Sequence, residues 1–386
     1  MTKSFDFSFI SSVANIDATE WSKVINSDYP FIQQGFLRAL EESGVTSQST
    51  GWQPYHLIIK QDNQLKGFMP LYVKTHSYGE YIFDFQWADA YHQSGINYYP
   101  KLVTAIPFTP ATGKRIYLDH SINQDRAAKK TVYSNINQEI QQLSIEQKMS
   151  SWHILFPTRD ESDELVSSGS MRREGIQYHW FNHNYYSFDD FLARCKLKQR
   201  KNIKRERRIV KEQGIEIRVV EGNGITSELW QQFFIFYQMT YAKRSGHGGY
   251  LNQTFFDFLG QYIPNSIVMM VAYVEDKVVA ASLLFKDSRN LYGRYWGCLQ
   301  EFDFLHFELC YYQGVEYCIQ HQLKKFDAGA QGEHKIQRGF EPTKTYSNHW
   351  IAQPEFSNAI QGFVKREGKL IDDNMEILKQ KLPFKK

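Results

Sequence analysis

The sequence predicts a mixed α/β protein built of two similar domains, and three observations carry that expectation. The chain has 386 residues, more than one hydrophobic core usually serves. Short apolar runs rich in β-branched and aromatic residues are flanked by segments of helical periodicity, the pattern of a mixed α/β sheet. A strand, polar turn and second strand occur twice, at Leu57–Tyr72 and at Met270–Phe285. Laying Lys277 on Gln64 sets the copies 213 positions apart (277 − 64), and Gly67 then meets Ala280 while Leu71 meets Leu284.

In chain order, Phe5, Phe7 and Phe9 alternate with polar residues, which predicts a strand and argues against a signal peptide. The hairpin around Gln61-Asp62-Asn63-Gln64 follows. Residues 78 to 99 read as irregular and aromatic. A helix near Gln124–Gln147 and a strand at Trp152–Phe156 complete the first domain, taken as 1–182, and the second is taken as 183–386. Ser187 with Asp190 three residues on is a capping-box pattern that opens a helix continuing into a run of cations. Beyond it come a strand at Ile215–Val220 and helices at Ser227–Lys243 and Gln253–Tyr262. Strands starting at Ile267, Val278 and Leu291, a helix from His306 to Gln322 and a strand at Lys325–Ala328 end the series.

Hydrophobic residues at 42% and aromatics at 16% predict an ordered globule, and a net charge of only +3 gives no overall field for nucleic acid or membrane. The longest apolar run, Ile267–Val274, is too short to cross a bilayer. Four cysteines without Cys-x-x-Cys spacing make no disulfide framework and no metal knuckle, so the expected compartment is the cytoplasm. His179 and His183 lie on a strand pattern with no acid or cysteine at ligand spacing, so no metal site is expected.

Asp327–Pro342 has the composition of a site. It follows an apolar run, and Gly329, Gly332 and Gly339 permit backbone conformations and close ligand approach that a Cβ forbids. Glu333, His334, Lys335 and Arg338 bring charge to the same loop, where an α/β sheet opens its crevice; a polar surface turn is the alternative. Lys335 and Arg338 are expected to serve a ligand there, so that replacing either leaves the fold intact. A second concentration of charge is the run Arg194, Lys196, Lys198, Arg200, Lys201, Lys204, Arg205, Arg207, Arg208 and Lys211. Like charges at i, i+4 repel, and a phosphate-rich partner would relieve them; a solvated helix face is the alternative. His76, Tyr78, Trp87, Asp89 and Tyr91 crowd a segment poor in aliphatic residues, which suits either a substrate groove or an aromatic domain interface.

The loop Asp327–Pro342, together with Gly51-Trp52-Gln53-Pro54-Tyr55-His56, Lys74-Thr75-His76-Ser77-Tyr78-Gly79-Glu80-Tyr81, Pro107-Phe108-Thr109-Pro110, Leu291-Tyr292-Gly293-Arg294-Tyr295-Trp296-Gly297 and Leu305-His306-Phe307-Glu308, resembles the FemAB-like N-acyltransferases. These are GNAT-related proteins akin to the Fem peptidoglycan aminoacyltransferases. The resemblance implies tandem GNAT-like domains and a transferase moving an acyl or aminoacyl group from acyl-CoA or aminoacyl-tRNA to a small-molecule amine in cell-wall precursor metabolism. It implies a donor site on Lys335, Arg338, Gly329 and Gly332, with Arg200, Lys204 and Arg208 for coenzyme A or tRNA phosphates. It sets Glu308 and His306 at the start of the helix beside the splayed central strands, Glu308 or Asp327 as base and Arg294 as oxyanion donor; helix-terminus charge complementarity is the alternative for Glu308. His76, Tyr78, Trp87, Asp89, Tyr91, Glu333 and His334 fall to the acceptor. The pyrophosphate-cradling glycine loop of acetyltransferases has no counterpart in Leu299–Leu305, and no long helical arm fits between Val210 and Ile215, so the donor stays open. A non-catalytic module binding a phosphate-rich ligand is the competing reading.

Overall fold

The computed structural model describes residues 5–246, 248–330 and 332–385. The chain divides into two compact units. One takes the chain up to Ser27, Phe31–Gly175 and Lys344–Asp372; the other takes Asp28–Pro30, Ile176–Thr343 and the residues from Asp373.

In the first unit β1 (Asp6–Ile10), β3 (His56–Gln61), β4 (Gln64–Met69) and β7 (Tyr117–Leu118) form an antiparallel sheet in the order β1-β3-β4-β7, while β2 (Trp52–Pro54) lies beside β5 (Tyr72–Lys74). β5 pairs antiparallel with β6 (Lys101–Thr104), β6 runs parallel to β8 (Ser151–Leu155), and β8 pairs antiparallel with the end of β15 (Glu341–Ile351). The helix Arg126–Glu146 buries Val132, Ile136, Ile140 and Leu143 at i, i+4 and i+3 spacing, the stripe that one face of a helix presents. That stripe packs in one core with Leu57, Ile59, Met69, Trp152 and Ile154 of the strands.

The second unit carries β10 (Glu216–Glu221), β11 (Ile267–Val274), β12 (Lys277–Lys286), β13 (Asn290–Cys298), β14 (Lys325–Asp327) and the end of β9 (Met171–Phe181). They neighbour in the order β10-β11-β12-β13-β14-β9, with β13 and β14 parallel and every other pair antiparallel. Its core joins Met270, Leu284, Leu291, Leu309, Val315, Phe326 and Phe340.

The repeated hairpin holds residue by residue. Leu57 faces Met69 and Met270 faces Ser282, an offset of 213 on both strands (270 − 57, 282 − 69), and each further pair down to Gln61↔Gln64 and Val274↔Lys277 keeps it. The register slips between Ile59 and Lys60 in one and between Ala272 and Tyr273 in the other, again the same place. Both turns put two residues in the left-handed region, Asp62 and Asn63 (φ 51° and 59°), Glu275 and Asp276 (φ 47° and 60°). That twist is what a two-residue hairpin needs. Followed outward, the pairing matches Tyr72–Val103–His153–His349 in the first unit with Phe285–Tyr292–Asp327–His179 in the second.

Two elements depart from the expectation. Residues expected to be irregular include a helix, Phe85–Gln93, whose buried Trp87 and Tyr91 anchor it. The helix opened by Ser187, whose hydroxyl accepts from Asp190 N–H, ends at Arg194, and a separate helix, Leu197–Glu212, carries most of the cations. Between them Cys195 and Lys196 are extended, and Cys195 makes a bridge to Phe384.

Candidate active site

In the second unit β13 and β14 share a ladder only as far as Tyr292 and Asp327. β13 goes on to Cys298 against β12 alone, whereas the chain after Asp327 leaves through Gly329 in the left-handed region (φ 85°). The sheet therefore splits at Arg294 and Asp327. Arg294 Nη2 donates to Asp327 Oδ2 at 3.0 Å, Arg294 Nη1 donates to Gly293 O at 2.8 Å, and Gly329 N–H donates to Asp327 Oδ1 at 2.9 Å. His179 Nε2 stands 3.8 Å from the same carboxylate. Burial alone would raise the Asp327 carboxyl, but Arg294, with His179 and Lys325, holds it well below the usual carboxylate range. Asp327 is thus an anchored anion, not a proton acceptor.

Lys335 Nζ caps the split, donating to Gly329 O at 2.7 Å and Ala328 O at 3.1 Å. Burial pushes its ammonium down to about 8 against the pull of Asp327. An ammonium has three N–H donors, so one remains for a ligand oxygen. Lys335 belongs to a short 3-10 helix, Glu333–Arg338, closed by Gly339 at φ 90°, where a Cβ would stand 2.8 Å from the Phe191 ring. Arg338 at its end donates to Glu206 Oε1 at 2.8 Å and to Tyr312 Oη at 3.0 Å, and lies 3.5 Å over the Phe307 ring.

The helix beside the split begins at Leu305 after Phe304, a non-glycine residue at φ 62°. It runs Leu305–Phe307, widens to a π turn at Glu308–Tyr312 and resumes as Gln313–Gln320. Such turns insert one residue into the helical ladder and often mark functional positions. Arg207 pins this one, donating to Glu308 from Nε (3.0 Å) and Nη2 (2.8 Å) and to Glu316 from Nη2 at 2.7 Å, while Gln313 Nε2 donates to Glu308 at 2.8 Å. With both oxygens engaged, Glu308 holds the turn.

The π turn aims consecutive tyrosines at two targets: Tyr312 donates to Glu206, and Tyr311 Oη lies 2.9 Å from His334 Nε2. The His306 ring meets Tyr311 and Trp296, each at 5.4 Å. Burial and then Arg244 push His306 down to about 3, and burial with Arg338 and Lys335 lowers the exposed His334. Both imidazoles are neutral near pH 7. A phenol bridging to a neutral, accessible imidazole can relay a proton in either direction. Burial raises the thiols of Cys310 and Cys318, which removes a cysteine nucleophile from this helix.

The expected site residues fall into groups. Arg294, Asp327, Gly329 and Lys335 converge at the split, and His306 and His334 converge on Tyr311. Arg338 and Lys335 are buried (8% and 2% exposed), not surface charges as expected, because Glu206 and two backbone carbonyls hold them. Gly332 caps the 3-10 helix, and exposed Glu333 lies 3.6 Å from Lys381. Arg200, Lys204 and Arg208 lie on the helix Leu197–Glu212, with Lys204 3.0 Å from Asp189 and Arg208 3.2 Å from Glu212. In the first unit Trp87 and Tyr91 sit in the core beside Ile351 and Ile360, whereas Asp89 and Tyr78 are exposed and His76 is half-buried. Tyr311, Tyr312, Glu206, Arg207 and His179 were not singled out as site residues by sequence reasoning. The His-Trp pair repeated at His179-Trp180 and His349-Trp350, the first opposite Asp327 and the second opposite His153, was the available signal for His179. No group of three or more metal-ligating side chains occurs among the described residues, and no helix there is long and apolar enough to cross a membrane.

A family profile, FemAB_like, described as peptidoglycan biosynthesis/recognition, matches residues 12–386. No curated protein matches the chain. Among solved structures the fold is similar to FemX at a TM-score of 0.52 and 12% identity, covering 92% of this chain and 100% of that one. It is equally similar to a conserved protein of unknown function from Bacteroides thetaiotaomicron, at a TM-score of 0.52, 11% identity, and 89% and 99% coverage. A tandem GNAT protein from the clavulanic acid biosynthesis pathway aligns over 91% of this chain and 99% of its own, at a TM-score of 0.47 and 8% identity. The fold is thus mixed α/β with the same hairpin in each of its two units, as the sequence predicted, and is like that of FemX.

Proposed function

The chain belongs to the FemAB-like family of peptidoglycan biosynthesis and recognition, and on that premise we propose that it is an N-acyltransferase of cell-wall precursor metabolism. The observation that carries the proposal is the contact of Tyr311 with the exposed, neutral His334 at the start of the helix beside the strand split. In the proposed reaction a substrate amine attacks the carbonyl carbon of an activated donor. The new C–N bond forms as the amine's proton passes to Tyr311 Oη and the tyrosine's own proton to His334 Nε2. The free N–H of Lys335 takes the oxyanion, and the charge of Lys335 survives beside the anchored Asp327. When the carbonyl re-forms, the bond to the leaving oxygen or sulfur breaks, and the proton returns from His334 through Tyr311 to that atom. No covalent enzyme intermediate is required.

Two features favour aminoacyl-tRNA over acyl-CoA as donor. Gln213 occupies the backbone where an acetyltransferase would cradle a pyrophosphate, donating from Nε2 to Asp303 O and accepting from Asp303 N–H, both at 3.0 Å. The exposed cations of the helix Leu197–Glu212 suit a polyanion larger than one pyrophosphate. We take the expected division at 182/183 as the boundary between an acceptor-recognising and a transferring half. The test is single-turnover acyl transfer to a stem-peptide amine from alanyl-tRNA and, in parallel, acetyl-CoA. Tyr311→Phe and His334→Gln should each slow transfer about 100-fold or more while leaving donor binding unchanged. Full activity in both variants would overturn the assignment of the proton relay, and transfer from neither donor would overturn the reaction class.

A further inference from the structure

In the first unit Lys101, at the start of β6, is fully buried. Its Nζ donates to Glu80 Oε2 at 2.9 Å, Asp84 Oδ2 at 2.5 Å and Ser77 Oγ at 2.9 Å, and Tyr98 Oη donates to the same Asp84 oxygen at 2.6 Å. Each carboxylate thereby spends one oxygen. Glu80 Oε1 and Asp84 Oδ1 have no hydrogen-bond partner, although their residues are 4% and 3% exposed. A buried acceptor left unmade costs about 1–3 kcal/mol, and two such oxygens, on carboxylates that share Lys101, call for a donor that carries positive charge.

The outer side of the same segment makes a second, independent point. Tyr78, Phe83 and Phe85 are exposed at 59%, 55% and 44%. They are not scattered: Phe83 stacks on Phe85 with centroids 5.9 Å apart and planes at 23°, and Tyr78 meets Phe85 at 6.4 Å. Aromatic faces attract ammonium groups. The neighbourhood already holds one in this way, for Lys74 Nζ lies 3.8 Å over the Trp52 ring while donating to the Tyr78 carbonyl at 3.3 Å.

We infer that the segment Ser77–Phe85 of the first unit is a binding site for an alkylammonium ligand. The free oxygens of Glu80 and Asp84 accept its N–H groups, and its alkyl chain lies on Tyr78, Phe83 and Phe85. None of these residues belongs to the proton relay of the second unit, so the site recognises an amino group without having to transfer anything to it. Lys74 is its internal competitor: burial pushes its ammonium down to about 7, and the charge of Glu80 pulls the other way.

Calorimetric titration of the whole chain with 1,5-diaminopentane, and with 1,5-pentanediol as the uncharged isostere, tests the inference without any acyl donor and therefore independently of the proposed reaction. The diamine should bind and the diol should not. Glu80→Gln should weaken the diamine about tenfold, one charge-assisted contact, and Lys74→Met should tighten it, a gain that damage to the fold would not produce. Should Glu80→Gln fail to fold because Lys101 loses a partner, the surface pair Tyr78→Ala/Phe85→Ala decides, with a loss of several-fold expected. Equal binding of diol and diamine, or unchanged diamine affinity in the variants that fold, would overturn the site.

Discussion

Replacing Arg294 by Met tests whether the strand split is an electrostatic construction. Asp327 is wholly buried, and the Arg294 side chain is 2% exposed. Removing one partner of such a pair leaves an uncompensated charge in the interior, at a cost of about 3–5 kcal/mol. For a unit of roughly this size each kcal/mol moves the melting temperature by about 2–4 °C, so a fall of about 6–20 °C is expected. The pH dependence sharpens the test. His179, pushed down to about 4 by burial and by neighbours that include Arg294, is the other group close to Asp327. With Arg294 gone it becomes the counter-ion, and its folded pKa should rise above the unfolded value of about 6.5. A histidine raised in the folded state contributes stability that is complete below the unfolded pKa and is lost as pH rises through the folded one. The deficit of Arg294→Met should therefore be smaller at about pH 5.5 than at about pH 8. Urea unfolding of both proteins at the two pH values measures it, and the double variant Arg294→Met/Asp327→Leu should recover most of the loss. A cost under about 1 kcal/mol, far below the range for a broken buried pair, or an equal deficit at both pH values would refute the reasoning.

Two further outcomes are expected. The wild type should lose stability steeply on acidification, because burial holds His153 (about 3), His179 (about 4), His306 (about 3) and His349 (well below its ordinary value) neutral. Each unfolded histidine binds a proton below about pH 6.5 that its folded form refuses, about 1.4 kcal/mol per pH unit per group. Glu80, pushed up to about 7 by burial, works in the opposite direction and offsets about one of them; a urea midpoint that stays flat between about pH 6.5 and 4.5 would contradict this. Secondly, Arg338→Ala should melt several degrees lower, since it strands Glu206 beside Tyr312, whereas Arg200→Glu/Lys204→Glu/Arg208→Glu should melt nearly as the wild type yet lose salt-sensitive binding of tRNA. Melting temperatures and filter binding at two salt concentrations distinguish the two behaviours.

The fold was legible in the sequence wherever periodicity and turn chemistry agree. The two hairpins, the helix Gln253–Tyr262 and the strands from Ile267 onward follow from local pattern, because their apolar residues meet neighbours close in sequence. Residues 85–93 were not legible: Trp87 and Tyr91 supply a helical anchor whose partners, Ile351 and Ile360, lie far along the chain. The site was half legible. Glycines at Gly329 and Gly339 and the charges between them mark a loop that the chain does bring to the split. What sequence could not give is which charges are spent internally. Arg338 reads as a ligand group by composition and Glu308 as a base by resemblance, and only long-range partners, Glu206 and Arg207, take them up. Nor does any local pattern announce a π turn, which here comes with the Arg207 clamp across the helix.

The duplication explains why the two units carry different chemistry at matching points. Pairing places His153 where the second unit has Asp327, and His349 where it has His179. In the second unit the acid at that point is kept charged by Arg294, and the ion pair lets a buried ammonium, Lys335, survive beside it. In the first unit two neutral imidazoles meet instead, Nδ1 to Nδ1 at 2.5 Å, with Ser151 and Ser347 on their far nitrogens at 2.7 and 2.8 Å. One proton satisfies that contact, because a second would set two N–H groups face to face. The matching point in the first unit is held by two uncharged rings within a ladder that continues to Thr104↔Ile154. Two buried carboxylates of the first unit, Glu80 and Asp84, lie on Ser77–Phe85, beside exposed rings and half-committed to Lys101. The first copy, with no charge at the matching point and with Glu80 and Asp84 beside exposed rings, fits the inferred recognition of an ammonium ligand, whereas the copy with charges at its split fits the proposed transfer.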